Sequence, residues 1–340
     1  MNQLIRPFLP FLLVTLVVCH EAKAQSIQPL VDNQAASMRG LSVVSDDVVW
    51  VSGSKGTVGL STDGGKTWAW QTVKGFETRD FRDIEAFDQR TAVIIAVAEP
   101  AVILRTMDGG ASWKTVYENK TPGMFLDAMD FSDDQHGAVI GDPIGGHFFM
   151  ANTSDGGMTW KELQTDRLPK ADSGEACFAA SGTNLRLQPD GKSYFVSGGV
   201  RSRLFINNTP HDLPLLQGQQ STGANSFAFY TDKKSRASNW IVVGGNFSSD
   251  TLRTGNCALS RDLGKTWSVP LTPPAGYRSC VEFISTAQLI ACGTSGVDLS
   301  TDGGQRWKNI SPLGFHVCRK AKRGNAVFLA GKGRIAKFVP

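Results

Sequence analysis

Short apolar runs, broken by polar turn residues, recur along the chain from residue 39 to residue 338. Residues 39–44 and 48–51 face each other across Ser45, Asp46 and Asp47, and residues 57–60 follow a second break. Runs of this length, rich in Val, Ile, Phe and Trp and bounded by Gly, Asp, Asn and Ser, predict strands joined as hairpins. Long stretches with helical apolar period are missing, so the pattern predicts an all-β chain.

One eight-residue stretch punctuates these runs. Ser61-Thr62-Asp63-Gly64-Gly65-Lys66-Thr67-Trp68 recurs from Thr106 to Trp113, Thr153 to Trp160, Ser260 to Trp267 and Ser300 to Trp307, as S/T-x-D-x-G-x-x-W. Five copies in one chain predict a repeat architecture. The chemistry is that of a hairpin turn. The Asp bonds backbone two residues on, the Gly accepts a positive φ, and the Trp opens the next strand with its ring beside the turn. These residues resemble the Asp-box, or BNR repeat, of sialidases and other β-propellers, where the box is a structural turn on the blade rim. Asp63, Asp108, Asp155, Asp262 and Asp302 are therefore expected to be architectural.

The first three boxes start 45 and then 47 residues apart, the period of a four-stranded propeller blade. The second unit starts at residues 80–84, continues through 91–97 and reaches its box at Thr106. The third uses 125–129, 137–141 and 148–151. The next box lies 107 residues on, so one unit has lost its motif. Residues 177–180, 193–197 and 203–206 supply the strands of this fourth unit, and Asn207-Asn208-Thr209 stands where its box belongs. The fifth uses 226–229 and 241–243, and the sixth runs from Cys280 through 297–299. The last has three strands, 315–318, 326–329 and 334–338. Its missing fourth strand is the lone N-terminal run 27–31, which closes the ring and removes an exposed edge. The expectation is a seven-bladed β-propeller, with six blades as the alternative division of the fourth and fifth units.

The chain of 340 residues suits one such domain over residues 25–340. A net charge of +4, mixed along the sequence, argues against a nucleic-acid partner. The basic run Arg319-Lys320-Ala321-Lys322-Arg323 is read as a solvated strand and turn. Residues 1–24 have the form of a signal peptide: Arg6, an apolar run over 8–18, and Ala22-Lys23-Ala24 as an A-x-A cleavage site. Val18 is bulky where the lipoprotein box before Cys19 wants a small residue, so cleavage near Ala24 is expected. No second apolar stretch of spanning length follows, so no transmembrane anchor is expected and the mature protein is read as periplasmic or secreted. It keeps Cys177, Cys257, Cys280, Cys292 and Cys318, an odd number without metal or redox spacing. Cys280 and Cys292 flank a hairpin around residues 285–288. They are the one candidate disulfide, against the reading of two buried free thiols.

Candidate chemistry sits where each unit enters its innermost strand. Those positions are Arg39, Arg82, Asp127, Glu175, Asn225, Arg278 and His316, all polar or charged. In a closed ring they form a polar axial face with three guanidiniums, which suit carboxylates and phosphates. The competing reading is a set of charges that satisfy one another in a water-filled channel. Gly-rich pairs such as Gly198-Gly199 and Gly244-Gly245 precede no helix, so no phosphate-cradling loop is expected. No cofactor and no metal site are predicted.

From about residue 25 to 340 the chain resembles exported BNR-like propellers related to the photosystem II stability/assembly factor family. The likeness is carried by Arg39-Gly40-Leu41 with Trp50-Val51-Ser52-Gly53, Asp80-Phe81-Arg82-Asp83-Ile84 and Gly141-Asp142-Pro143. Gly174-Glu175, Ser181-Gly182-Thr183 and Tyr277-Arg278-Ser279 with Gly296-Val297-Asp298-Leu299-Ser300 extend it. Bacterial relatives often carry the label oxidoreductase, for which the chain offers no dinucleotide, flavin, C-x-x-C or haem motif. The resemblance implies a non-enzymatic scaffold whose Arg-rich face binds another exported or membrane protein; an anionic small ligand is the other partner considered. Arg39, Arg82 and Arg278 are the positions that could serve. The alternative is a sialidase-like glycoside hydrolase, with Arg39, Arg82 and Arg278 as carboxylate clamp and Tyr277, Glu175 and Asp127 as chemical groups. Two departures oppose it. Gly40 and Leu41 follow Arg39 where that family has Arg-Ile-Pro, and on a strand the adjacent Tyr277 and Arg278 point to opposite faces.

Overall fold

The structure, a computed structural model, describes residues 25–231 and 238–340. The signal segment and cleavage site lie outside the described residues. Seven antiparallel sheets follow one another as blades. Blade 1 is Met38–Val43, Val49–Gly53, Thr57–Ser61 and Ala69–Thr72, from the axis outward. Blades 2 and 3 repeat this, with innermost strands Phe81–Ala86 and Leu126–Phe131. Blade 4 is Leu185–Leu187, Ser193–Val196, Arg203–Ile206 and Thr209–Asp212. Blades 5 and 6 have innermost long strands Thr222–Thr231 and Cys280–Phe283, and blade 7 starts at Val317–Lys320. The N-terminal strand Ser26–Val31 pairs antiparallel with Arg334–Val339 and completes blade 7. Pro29 is tolerated there because the strand is outermost and owes no ladder bond on its free side.

The core is a series of apolar layers between adjacent blades. Trp50, Val58, Ile84, Ile94 and Leu104 fill the layer between blades 1 and 2, and Phe148, Phe195 and Phe205 the one between blades 3 and 4. The second strand of blade 2 is buried on both faces, which is why Ala92–Ala96 is apolar without alternation. Around the axis, side chains of one blade cap the backbone of the next. Ser42 accepts from Ala86 N–H (3.0 Å), Asp83 from Met129 (2.8 Å), Asp130 from Leu187 (2.6 Å) and Ser226 from Val281 (3.1 Å).

The boxes sit on the rim and tie blades together. Ser61 Oγ donates to Asp63 and accepts from Gly65 N–H, while Asp63 accepts from Thr67 through both backbone (2.9 Å) and hydroxyl (2.6 Å). The Asp thus reaches four residues on rather than two, and the other four boxes repeat its bond to that fourth amide. Gly65, at φ 86°, presses on the preceding blade: a Cβ there would fall 2.6 Å from Leu30 Cδ1. Neighbours also donate into the box carbonyls, Gln71 to Gly109 (3.1 Å) and Arg105 to Gly156 (2.9 Å). In blade 4 the box is replaced by Asn207 and Asn208, both at positive φ, a two-residue hairpin turn.

Three expectations are corrected. Residues 177–180 are not the inner strand of blade 4; that strand is Leu185–Leu187. Residues 177–183 instead cross the axis and plug it. Ser181 Oγ donates to Ser279 O (2.8 Å), Thr183 Oγ1 to Ser226 Oγ (2.7 Å), and Arg39 reaches Ala180 O (3.4 Å). The short pairs Glu175–Ala176 and Gly198–Gly199 join the sheet of blade 5, giving it five strands. The basic run is only partly the solvated strand and turn expected: Lys322 and Arg323 are exposed on the turn, but Arg319 and Lys320 are not free. Arg319 is largely enclosed and pairs with Glu282, Lys320 donates to Ile284 O (2.8 Å), and Lys322 pairs with Glu85 and donates to Ala86 O (2.9 Å). These cations bridge blade 7 to blades 6 and 2. Finally, Cys280 and Cys292 do lie opposite each other, but the five described cysteines are buried free thiols, and Cys280 donates to Cys318 O (3.2 Å). Among the described residues no helix is long and apolar enough to cross a membrane.

Candidate functional site

The axial residues owe their aim to a recurring irregularity. In blades 1, 2, 3 and 5 the innermost pair skips one residue: Arg39, Arg82, Asp127 and Asn225 have no partner in the ladder. A bulge of this kind kinks the strand and redirects one side chain. Here it turns four polar side chains onto one end of the axis while their neighbours stay in the apolar layers. The result is a pocket of about 440 Å³ lined by those four residues together with Asp142, Phe125, Phe178, Phe247, Tyr277 and His316. Its floor is the plug, through Ala179 and Ala180.

The two sides of the pocket differ in charge. Arg82 bonds Asp80 (2.8 Å) and lies over the Phe125 ring, 5.6 Å from its centroid. Arg39 has no carboxylate within 4.0 Å among the described residues; burial and the like charge of Arg82 lower its pKa. His316 bonds Ser37 through Nε2 (3.0 Å), and burial with Arg39 and Arg82 nearby drops its pKa to about 3, so it is neutral at pH 7. Tyr277 donates to Asn225 Oδ1 (2.7 Å). On blade 3, beside the blade that carries Arg82, Asp127 is 1 % exposed, and neither carboxyl oxygen has a hydrogen bond of good geometry. Burial first, then the charge of Asp142, pushes its pKa well up, against the pull of Arg82 and, less, of the Ala179 and Asp142 amides. Asp142 accepts from Cys177 N–H (3.0 Å), and burial raises its pKa to about 6.

Of the seven axial residues expected from the sequence, the structure brings together Arg39, Arg82, Asp127, Asn225 and His316. The other two go elsewhere. Glu175 is buried in an ion pair with Arg203, whose Nε donates at 2.8 Å, because its chain segment joins the edge of blade 5. Arg278 is fully buried against Asp298, with Nε donating at 2.6 Å and NH1 to its own neighbour's carbonyl at Tyr277 (2.7 Å). Adjacent residues of an extended segment face opposite ways, so Tyr277 enters the pocket and Arg278 leaves it. Asp142, Phe178 and Phe247 were missed as site residues. The Gly141-Asp142-Pro143 turn was a visible signal for the first; the other two arrive from a loop and a blade edge. A three-arginine clamp is not assembled.

Fold and pocket together define an Asp-box seven-bladed β-propeller with a polar axial binding pocket. The chain resembles the photosystem II assembly factor family. A family model described as Photosynthesis system II assembly factor YCF48 matches residues 22–127. The Photosystem II assembly lipoprotein Ycf48 of Picosynechococcus sp. is 27% identical over 268 residues, covering 76% of this chain and 69% of the relative. Among solved structures, YCF48 bound to D1 peptide superposes with a TM-score of 0.65 at 18% identity, over 94% of this chain and 96% of the other. YCF48 from Cyanidioschyzon merolae gives 0.63 at 17% identity, over 93% and 99%. At these identities the structural likeness speaks to the fold.

Proposed function

We propose that this protein is an exported, non-enzymatic scaffold that holds a polypeptide partner at the axial pocket, with Arg39 and Arg82 receiving a carboxylate of that partner. The observation that carries this reading is Arg39, a half-buried guanidinium facing the pocket with no carboxylate within 4.0 Å among the described residues. Such a cation is costly to hold without an anion and is well shaped to take one bidentately. The relatives support the class of partner: one structure of similar fold is a YCF48 bound to a D1 peptide, and the curated relative is an assembly lipoprotein. The signal-peptide form of residues 1–24 supports export. A sialidase-like reaction is less well served, since Arg278 is spent on Asp298 and the Tyr277 hydroxyl on Asn225.

The test is a peptide array in which each sequence is present with a free and with an amidated C-terminus, probed with wild type and Arg39→Ala. Free-carboxylate peptides are expected to bind at least tenfold tighter than their amides, and Arg39→Ala to erase the difference. Equal binding of acids and amides by the wild type would sink the reading.

A further inference from the structure

The arginine side of the pocket accounts for only half of its polar groups. Asp127 is the anomaly. Its carboxyl group is almost completely enclosed, lines the cavity, and has no hydrogen bond of good geometry on either oxygen, the Ala179 and Asp142 amides exerting only a weak pull. A buried carboxylate with empty lone pairs is expensive, and folded proteins rarely keep one without a use. Arg82 does not satisfy it, because that guanidinium is engaged by Asp80 at 2.8 Å. Asp142 lines the same wall and carries a second carboxyl group, only one oxygen of which takes an amide, that of Cys177. Aromatic rings of Phe125, Phe178 and Phe247 complete the lining, and ring faces favour cations.

We propose that the pocket recognises two opposite charges on one ligand: a carboxylate at Arg39 and Arg82, and a guanidinium or ammonium group at Asp127 and Asp142. The chemistry that carries both within a cavity of about 440 Å³ is a basic residue with a free α-carboxylate. A volume near the low end of ligand sites, which run roughly 300–1,000 Å³, suits one long side chain and its carboxylate. The source is either the terminal Lys or Arg of a polypeptide or the free amino acid. The inference rests on the carboxylate reading above and adds the cation.

A consequence follows for pH. In the empty pocket, burial and mutual repulsion keep a proton on the Asp127–Asp142 pair. The charged or titratable groups facing this pair are Arg82 on blade 2, Arg39 on blade 1, Tyr277 ahead of blade 6, His316 ahead of blade 7 and the Cys177 thiol on the plug, with Asp172 and Glu175 lining the adjoining cavity beside Asp142. Burial leaves His316, the Cys177 thiol and the Tyr277 hydroxyl neutral between pH 5.5 and 7.5, so the Asp127–Asp142 pair is the part of the lining that exchanges a proton there. A cation entering the site displaces the proton. Binding of the basic ligand therefore weakens as pH falls from 7.5 to 5.5, and one proton is released to the buffer at the lower pH.

The experiment is titration calorimetry on the mature protein with four ligands: a peptide ending in Arg with a free carboxylate, the same peptide ending in citrulline, the Arg peptide as amide, and free arginine. Wild type and Asp127→Asn are compared at both pH values in two buffers of different ionisation enthalpy. Asp127→Asn keeps the shape and removes the group that can ionise, and a Tm matching that of wild type checks that it folds. The expected result is a tenfold or greater loss on replacing Arg by citrulline in the wild type, with little loss in Asp127→Asn. Equal affinity for Arg and citrulline in the wild type, or no detectable binding of any of the four, overturns the proposal. Arg-amide binding as well as the acid, with the citrulline loss intact, would overturn the carboxylate reading and leave the Asp127 site standing. Free arginine matching the peptide identifies a small-molecule ligand; a much tighter peptide identifies a polypeptide.

Discussion

Arg39 and Arg278 enter their blades at matching points, yet only one faces the pocket. Arg39 follows a bulge that swings it to the axis. Arg278 sits in a segment held by Tyr277 N–H to Asp250 O (2.8 Å) and its own N–H to Gly244 O (3.0 Å), which turns its side chain onto Asp298. Asp298 in turn accepts from Ala275 N–H (2.9 Å) and Asn309 Nδ2 (3.1 Å), so the pair is fully enclosed and well bonded. Removing one partner of such a pair leaves a buried charge uncompensated and costs about 3–5 kcal/mol. Arg278→Ala is therefore expected to lose stability of that size in urea denaturation, while Arg39→Ala stays within about 1 kcal/mol of wild type. Comparable stabilities for the two variants would mean that Arg278 is not the structural arginine.

At the scale of the element, the boxes and the closing strand carry the ring. A box was visible in sequence as a turn. Its second task, docking Gly65 onto Leu30 and Phe328 of blade 7, was not, because those contacts join residues far apart in the chain. The closing strand was legible for a different reason: a run of strand residues at one end and a three-stranded unit at the other have only each other to pair with. Ile27, Leu30 and Val31 pack on the core of blade 7 and its neighbours. Deleting residues 26–31 removes roughly 3 kcal/mol of apolar contact and exposes a strand edge. A fall in Tm of about 5 °C by scanning calorimetry is expected, with concentration-dependent association in light scattering; an unchanged Tm and a monodisperse variant would contradict it.

For the molecule as a whole, the carboxyl groups fall into two sets with opposite pH behaviour. The five box aspartates are held below their usual range, Asp63, Asp108 and Asp262 to about 2 through bonds from the hydroxyl and amide four residues on. Asp155 and Asp302 shift the same way despite partial burial. A folded pKa below the unfolded one adds stability above about pH 4 that is lost as pH falls towards 2. Buried Asp83, Asp127, Asp130 and Glu282 are raised, chiefly by burial, so their contribution is fully present at acid pH and is lost as pH rises through their folded values. His316, depressed to about 3, is lost in the other direction, as pH falls from 6.5. The terms compete between pH 4 and 7, but below pH 4 the box aspartates and His316 act together. Tm is expected to fall steeply from pH 4 to pH 2, and Asp63→Asn to flatten that limb. Equal Tm at pH 2.5 and pH 5 would rule this out.

By itself the sequence determined the class and the closure, favoured seven blades over six, and marked Arg39, Arg82, Asp127, Asn225 and His316 as polar positions near the axis. Those properties depend on local signals: a turn that needs Asp and Gly, a strand that needs apolar runs, and a period of four strands. What only the tertiary structure decided is where each polar group spends its charge. Glu175 and Arg278 found buried partners in Arg203 and Asp298, brought together across loops that no local pattern specifies. Arg319 and Lys320 read as solvated because their acceptors, Glu282 and Ile284 O, lie on another blade. Residues 177–183 had the composition of a strand, yet they cross the axis because Ser181 and Thr183 bond to blades 5 and 6 and because Leu185–Leu187 was free to take the ladder. Strand propensity records which residues suit a pleated surface; the choice among competing segments belongs to the contacts that closure creates.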